Sequence, residues 1–258
     1  LGWLGLNDRA AALTTGFFLF TTGVFPAVAS IDSPGQVYAS TFGILGWHCF
    51  LRFRANGQWR WYTGYALLCF LATFAKENGI VWFLAIPWLS AGAQPSPSSS
   101  GKNVSSGWRA LAGGAVLCAG YFAIRFALAG SLRLGAAEGA YRISFTSAML
   151  GKLLAMTFGS IAFIDTVAMF SRPPAYFLVA LTVLLSLPFF AWMVVSSAGV
   201  LRQEALRVPF FKTLAVTGIM MVPNAVTTAG EMHLYALGIW VALIVGFLLK
   251  ADEPGGRR

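Results

Sequence analysis

The sequence predicts an all-α protein, a polytopic transmembrane helical bundle of about eight spans plus one re-entrant or interfacial helix. Three observations predict it. Hydrophobic residues fill 57% of the 258 positions and charged residues only 10%, where a soluble domain carries about a quarter. Apolar runs close to the roughly 20 residues needed to cross hydrocarbon recur along the whole chain. Short connectors rich in Pro, Gly, Ser and Arg separate them. The expected organisation is a single transmembrane domain over 1–258, in a bacterial inner membrane or its equivalent.

The first run, Ala11–Ser30, and the second, Val37–Phe53, flank the turn signal Ile31-Asp32-Ser33-Pro34-Gly35 and form a helical hairpin. The connector Arg52–Arg60 holds three Arg and no acid and is followed by Trp61 and Tyr62, which places it in the cytoplasm. Runs three and four, Trp61–Ala75 and Gly79–Ala93, are parted only by Lys76-Glu77-Asn78, a sharp reversal at the outer face. Residues 94–108 have the composition of a flexible cytoplasmic linker, and run five follows at Ala110–Ala129.

Gly130–Ser144 is polar and leads into Phe145–Phe170, which carries Lys152 and Asp165. Two cationic connectors on the same side require an even number of spans between them, so this weakest run is expected to be re-entrant or interfacial. Run seven ends near Val200, and a basic connector with Arg202, Arg207 and Lys212 follows. Run eight extends to Ala229, and the ninth, after Glu231-Met232-His233, closes near Leu249.

The net charge of +9 comes from Lys and Arg placed singly or in pairs. It therefore marks topology and not a nucleic-acid partner. Cys49, Cys69 and Cys118 lie inside apolar segments without metal-ligand spacing and read as buried thiols, and His48 reads as a core histidine. No phosphate-binding loop, dinucleotide fingerprint or nucleophile elbow occurs.

Four of the nine acids, Asp32, Glu77, Asp165 and Glu231, fall at the expected non-cytoplasmic face. Acids near bilayer depth cost on the order of a few kcal/mol unless paired or watered, so they mark candidate sites. Phe74-Ala75-Lys76-Glu77-Asn78-Gly79 puts opposite charges in one tight turn, and Pro223 loosens a helix whose end carries Glu231, His233 and Tyr235. Both motifs also read as ordinary membrane-boundary turns with snorkelling or aromatic anchors.

The order of these features resembles the GT-C glycosyltransferases. Within them it is most similar to the polyprenyl-phosphate-sugar-dependent branch related to the tetratricopeptide-repeat O-mannosyltransferases. The matching residues are Pro26, Leu51-Arg52-Phe53, Lys76-Glu77, Tyr121 with Arg125, Asp165, and Glu231, Leu234 and Tyr235. The chain departs from the pattern where Phe25-Pro26-Ala27-Val28-Ala29-Ser30 replaces His-Pro-x-His-x-Glu and Gly35-Gln36-Val37-Tyr38 replaces Gly-Arg-Lys-Asp. The family's acidic pair in the first outer loop has no counterpart here. The chain is thus expected to be a fragment lacking that loop, or a divergent or inactive member.

The resemblance implies transfer of a sugar from a polyprenyl-phosphate carrier, with membrane lipid around the chain and an acceptor at the non-cytoplasmic face. The candidate catalytic carboxylates are Glu77, Asp32, Asp165 and Glu231. The candidate substrate-binding residues are Lys76, Arg142, His233 and Tyr235. The displacement is either metal-independent or assisted by a divalent metal ion, and the sequence presents no metal-ligand cluster. A multi-pass transporter or flippase-like protein and a non-catalytic membrane scaffold are the alternative readings.

Overall fold

The computed structural model describes residues 6–20, 34–90, 107–129, 153, 157, 176–226 and 234–253. Among them are eight α-helices, a 3-10 turn and no strand. The helices are α1 (Asp8–Phe20), α2 (Pro34–Asn56), α3 (Trp59–Ala75), α4 (Trp82–Ser90), α5 (Gly107–Ala129), α6 (Tyr176–Arg202), α7 (Glu204–Val226) and α8 (Leu234–Ala251), with the 3-10 turn Glu77–Val81 leading into α4. The chain divides into two compact units, Gly35–Ala136 and the remainder, Leu1–Pro34 with Ala137–Arg258.

In the unit Gly35–Ala136, α2 runs past the expected Phe53 to Asn56, so Arg52 and Arg54 of the expected connector are helical. Gly57 takes φ +66 and its N–H bonds the Phe53 carbonyl at 2.7 Å, a left-handed cap that glycine adopts without a Cβ penalty. α3 starts two residues on and runs back beside α2, with Phe50 edge-on to Tyr65 at 5.0 Å. At its far end Lys76 is extended (φ −159, ψ 138), which breaks the helix and turns the chain into α4. α4 returns along α3, so that Phe70 meets Phe83 at 5.0 Å, and α5 closes the unit against α4.

Proline and glycine fix the α3–α4–α5 contact. Pro87 lies inside α4 and has no N–H to give the Phe83 carbonyl one turn earlier. That carbonyl instead accepts the buried Tyr65 hydroxyl at 2.7 Å. Gly114 of α5 packs directly on the same carbonyl, with Pro87 Cγ 3.4 Å from where a Cβ would stand.

The second unit is a set of neighbouring helices running alternately up and down. α6 and α7 are parted by Gln203 alone, and Phe210 of α7 meets Phe247 of α8 edge-on at 6.4 Å. α1 lies antiparallel to α8: Asn7 bonds Glu253 at 2.6 Å, Thr14 abuts Gly246, and Phe18 meets Tyr235 at 5.4 Å. Asn7 also caps α1, accepting from the Ala10 N–H at 2.9 Å. Near the C-terminal end of α8, Asp252 accepts from Trp192 Nε1 at 2.8 Å and from Ser196 Oγ at 2.6 Å. The Ala251 carbonyl accepts from Gln203 Nε2 at 3.3 Å.

The buried threonines among the described residues satisfy their hydroxyls within their own helices. Thr14, Thr73, Thr213 and Thr217 each donate to the carbonyl four residues earlier, at 2.6–2.9 Å. A helix can then place Thr in an apolar setting without an orphaned donor.

Two of the described helices are long and apolar enough to cross a membrane. They contain Arg109–Leu128 and Leu184–Arg202, with mean hydropathy 1.7 and 1.9 and only 11% of each window buried. Their outward residues are large and apolar, among them Val116, Leu128, Val194 and Val195 at 70–80% exposure. Asn78–Ser90 and Leu237–Ala251 are apolar but shorter. Of the remaining helices, α1 has 13 residues and α3 has 17, while α2 and α7 carry Arg52 and Arg54, and Arg207 and Lys212. The expected connector at Arg202–Lys212 is mostly helix. Only Gln203 interrupts it, and Arg207 stands exposed on the side of α7.

Candidate functional site

The polar reversal predicted at Lys76-Glu77-Asn78 is the centre of a cluster at one end of the unit Gly35–Ala136. Its backbone is closed tightly: Lys76 N–H bonds the Ala72 carbonyl at 3.1 Å and Gly79 N–H bonds the Lys76 carbonyl at 2.8 Å. Gly79 lies on the last turn of α3, where a Cβ would sit 2.8 Å from the Thr73 nitrogen and nearer still to the Ala72 carbonyl. Only glycine fits that approach.

The start of α2 meets this turn. A Cβ on Gly35 would stand 2.6 Å from the Ala75 carbonyl oxygen and 4.0 Å from Lys76 Cδ. Gln36 is 1% exposed, and its Oε1 accepts from Asn78 Nδ2 at 2.9 Å. Its Nε2 is buried with no hydrogen-bond partner among the described residues, an imbalance that costs about 1–3 kcal/mol where it persists.

The end of α5 completes the cluster. Tyr121, 4% exposed, meets Phe74 edge-on at 5.6 Å, and its hydroxyl accepts from Arg125 Nη1 at 3.1 Å. Two residues beyond Phe74, Lys76 is half-buried, and no described carboxylate stands within ion-pair distance of its ammonium. The arrangement therefore gathers two cations, two amides and a phenol, groups that suit an anionic or hydroxyl-bearing ligand.

Of the residues singled out from sequence, Lys76 lies in this cluster. The Glu77 backbone is there too, opening the 3-10 turn. Tyr235 belongs to the other unit, buried and edge-on to Phe18. Asp32, Arg142, Asp165, Glu231 and His233 lie outside the described residues. No group of three or more His, Cys, Asp or Glu able to hold a metal occurs among the described residues.

Sequence reasoning missed Gln36 and Asn78 as a pair. A polar residue in the first turn of an apolar helix was the available signal, but its partner lies 42 positions away. Comparison with protein-family models, curated proteins and solved structures finds no match to this chain.

Proposed function

We propose that the chain is the membrane-embedded region of a GT-C-like glycosyltransferase, crossing the bilayer about eight times. In this reading it passes a sugar from a polyprenyl-phosphate carrier to an acceptor hydroxyl at the non-cytoplasmic face. One observation carries the reading. Two segments that resemble that family, Lys76-Glu77 and Tyr121 with Arg125, are distant in sequence yet lie at one end of one helical unit, beside Gly35-Gln36, where the chain departs from the family pattern.

The chemistry assigns each charge a task. The bond between the anomeric carbon and the phosphate oxygen breaks, and Lys76 offsets the charge left on the carrier phosphate. A carboxylate, Glu77 in this assignment, takes the proton from the acceptor hydroxyl as the new glycosidic bond forms. Asp32, Asp165 and Glu231 are the other proposed carboxylates, and Arg142, His233 and Tyr235 the other proposed substrate contacts.

The test is reconstitution into liposomes with a panel of polyprenyl-phosphate-linked sugars, following release of the carrier phosphate. Lys76→Ala is expected to lower the rate by about two orders of magnitude, the usual loss for one charge-stabilising donor. Wild-type protein that neither binds nor consumes any carrier sugar overturns the reading.

A further inference from the structure

The opposite end of the same unit, where α2 turns into α3, is purely cationic. No Asp or Glu occurs from Ser33 to Lys76, while Arg52, Arg54 and Arg60 crowd around the Gly57 turn. Arg54 is turned inward and donates to the Ser90 carbonyl at the end of α4. Arg52 and Arg60 are exposed.

Their neighbours fix where they stand. Phe53, Trp59 and Tyr62 form one ring cluster with centroids 5.2–5.7 Å apart, so Arg52, next to Phe53, and Arg60, next to Trp59, leave the backbone at the same end of the unit. Arg60 is oriented: its Nε donates to Gln58 Oε1 at 3.0 Å, and its guanidinium lies 5.6 Å from the Trp61 ring centroid. The terminal nitrogens of that guanidinium face no described carboxylate. Trp59 is 71% exposed at the tip.

We propose that this end of the unit binds the phosphate of an anionic phospholipid in the leaflet it faces, with Arg52 and Arg60 on the headgroup and Trp59 at the headgroup–acyl boundary. A guanidinium fork matches phosphate oxygens in a way a single ammonium does not. An indole ring with an apolar body and one N–H favours that boundary. Near an anionic surface each Arg strengthens binding by a factor of about five, and the attraction fades with salt. The inference rests on the chain being membrane-embedded and not on its being a transferase.

The experiment places the full chain in nanodiscs of phosphatidylcholine with one-fifth phosphatidylglycerol and counts the phosphatidylglycerol retained per protein by native mass spectrometry. Wild-type protein is expected to be enriched in it, and R52A/R60A to lose roughly 25-fold of that preference. Raising sodium chloride is expected to weaken retention by the wild type. R52K/R60K is expected to retain an intermediate amount, which shows that the loss is not misfolding. Equal retention by wild type and R52A/R60A, or an equal loss in R202A/R207A at the α6–α7 break, overturns the proposal. Neither result depends on sugar transfer, so failure here is separate from failure of the transferase reading.

Discussion

The Tyr65 hydroxyl sits 2.7 Å from the Phe83 carbonyl oxygen, taking the place of the helical N–H that Pro87 lacks. Tyr65→Phe leaves that carbonyl buried and unpaired and is expected to cost about 1–3 kcal/mol. Pro87→Ala restores the missing donor, so in the Pro87→Ala background the same substitution is expected to cost less. A double-mutant cycle on unfolding in mixed micelles measures the difference. Equal costs in both backgrounds sink the explanation.

Gly79 and Gly16 should respond to alanine with opposite signs. At Gly79 the new methyl meets the backbone of Ala72 and Thr73, and the expected loss is about 1–3 kcal/mol or more. At Gly16, inside α1, nothing lies within 4 Å, and removing a flexible residue from a helix is expected to gain about 0.5–1 kcal/mol. Thermal unfolding of the two variants checks the contrast.

Gln36 and Asn78 are unequal partners. Asn78→Ala removes the hydrogen bond that the described residues give the buried Gln36 head and is expected to destabilise by about 1–3 kcal/mol. Gln36→Leu also removes the orphaned Nε2, so it is expected to cost much less, or nothing. If both substitutions cost the same, the buried amide nitrogen is satisfied by something else.

Asp252 joins α6 to the end of α8 through Trp192 and Ser196. Asp252→Ala strands the Ser196 hydroxyl, on a residue only 3% exposed. The expected loss is about 1.5–3 kcal/mol, the value of hydrogen bonds to a charged acceptor. Ser196→Ala removes one donor and is expected to cost less. Hydrogen exchange at the C-terminal end of α8 reports both.

Hydrogen bonds from Lys250 and Asn7 hold the Glu253 carboxyl below the usual carboxylate range. A depressed folded-state value means that the stabilisation is present above the unfolded value, about 4.3, and is lost as pH falls through the folded one. Wild-type protein is therefore expected to lose stability over that acidic window, and Glu253→Gln to lose less of it. Unfolding midpoints measured from pH 6 downward test the sign.

Much of the helix layout was legible in the sequence because it follows from local chemistry. Lys76-Glu77-Asn78 ends α3 and the apolar run beginning at Ala110 becomes α5, whereas α2 continues to Asn56, past the expected Phe53. The basic stretch Arg202–Lys212 misled, since Arg and Lys are good helix formers whose charge says nothing about whether the backbone turns. The short α4 was masked by an apolar run that reads the same in a 3-10 turn as in an α-helix. The Gln36–Asn78 pair and the Tyr65–Phe83 bond were illegible for another reason. Each depends on which helix faces which, and hydrophobic all-round helices carry little periodicity to reveal their buried face.

The hydrogen bond between Asn7 and Glu253 spans 246 positions. Ribosomes add about 5–20 residues per second, so roughly 12–50 s separate the appearance of one partner from the other. During that interval the helix starting at Asp8 has no α8 to cover Thr14 and Phe18. Until α8 arrives, those side chains face lipid, an insertion factor or an earlier helix such as α6, whose Phe189 stacks on Phe17 at 5.8 Å. A chain stalled before Leu234 should be recovered with α1 still held by that earlier neighbour.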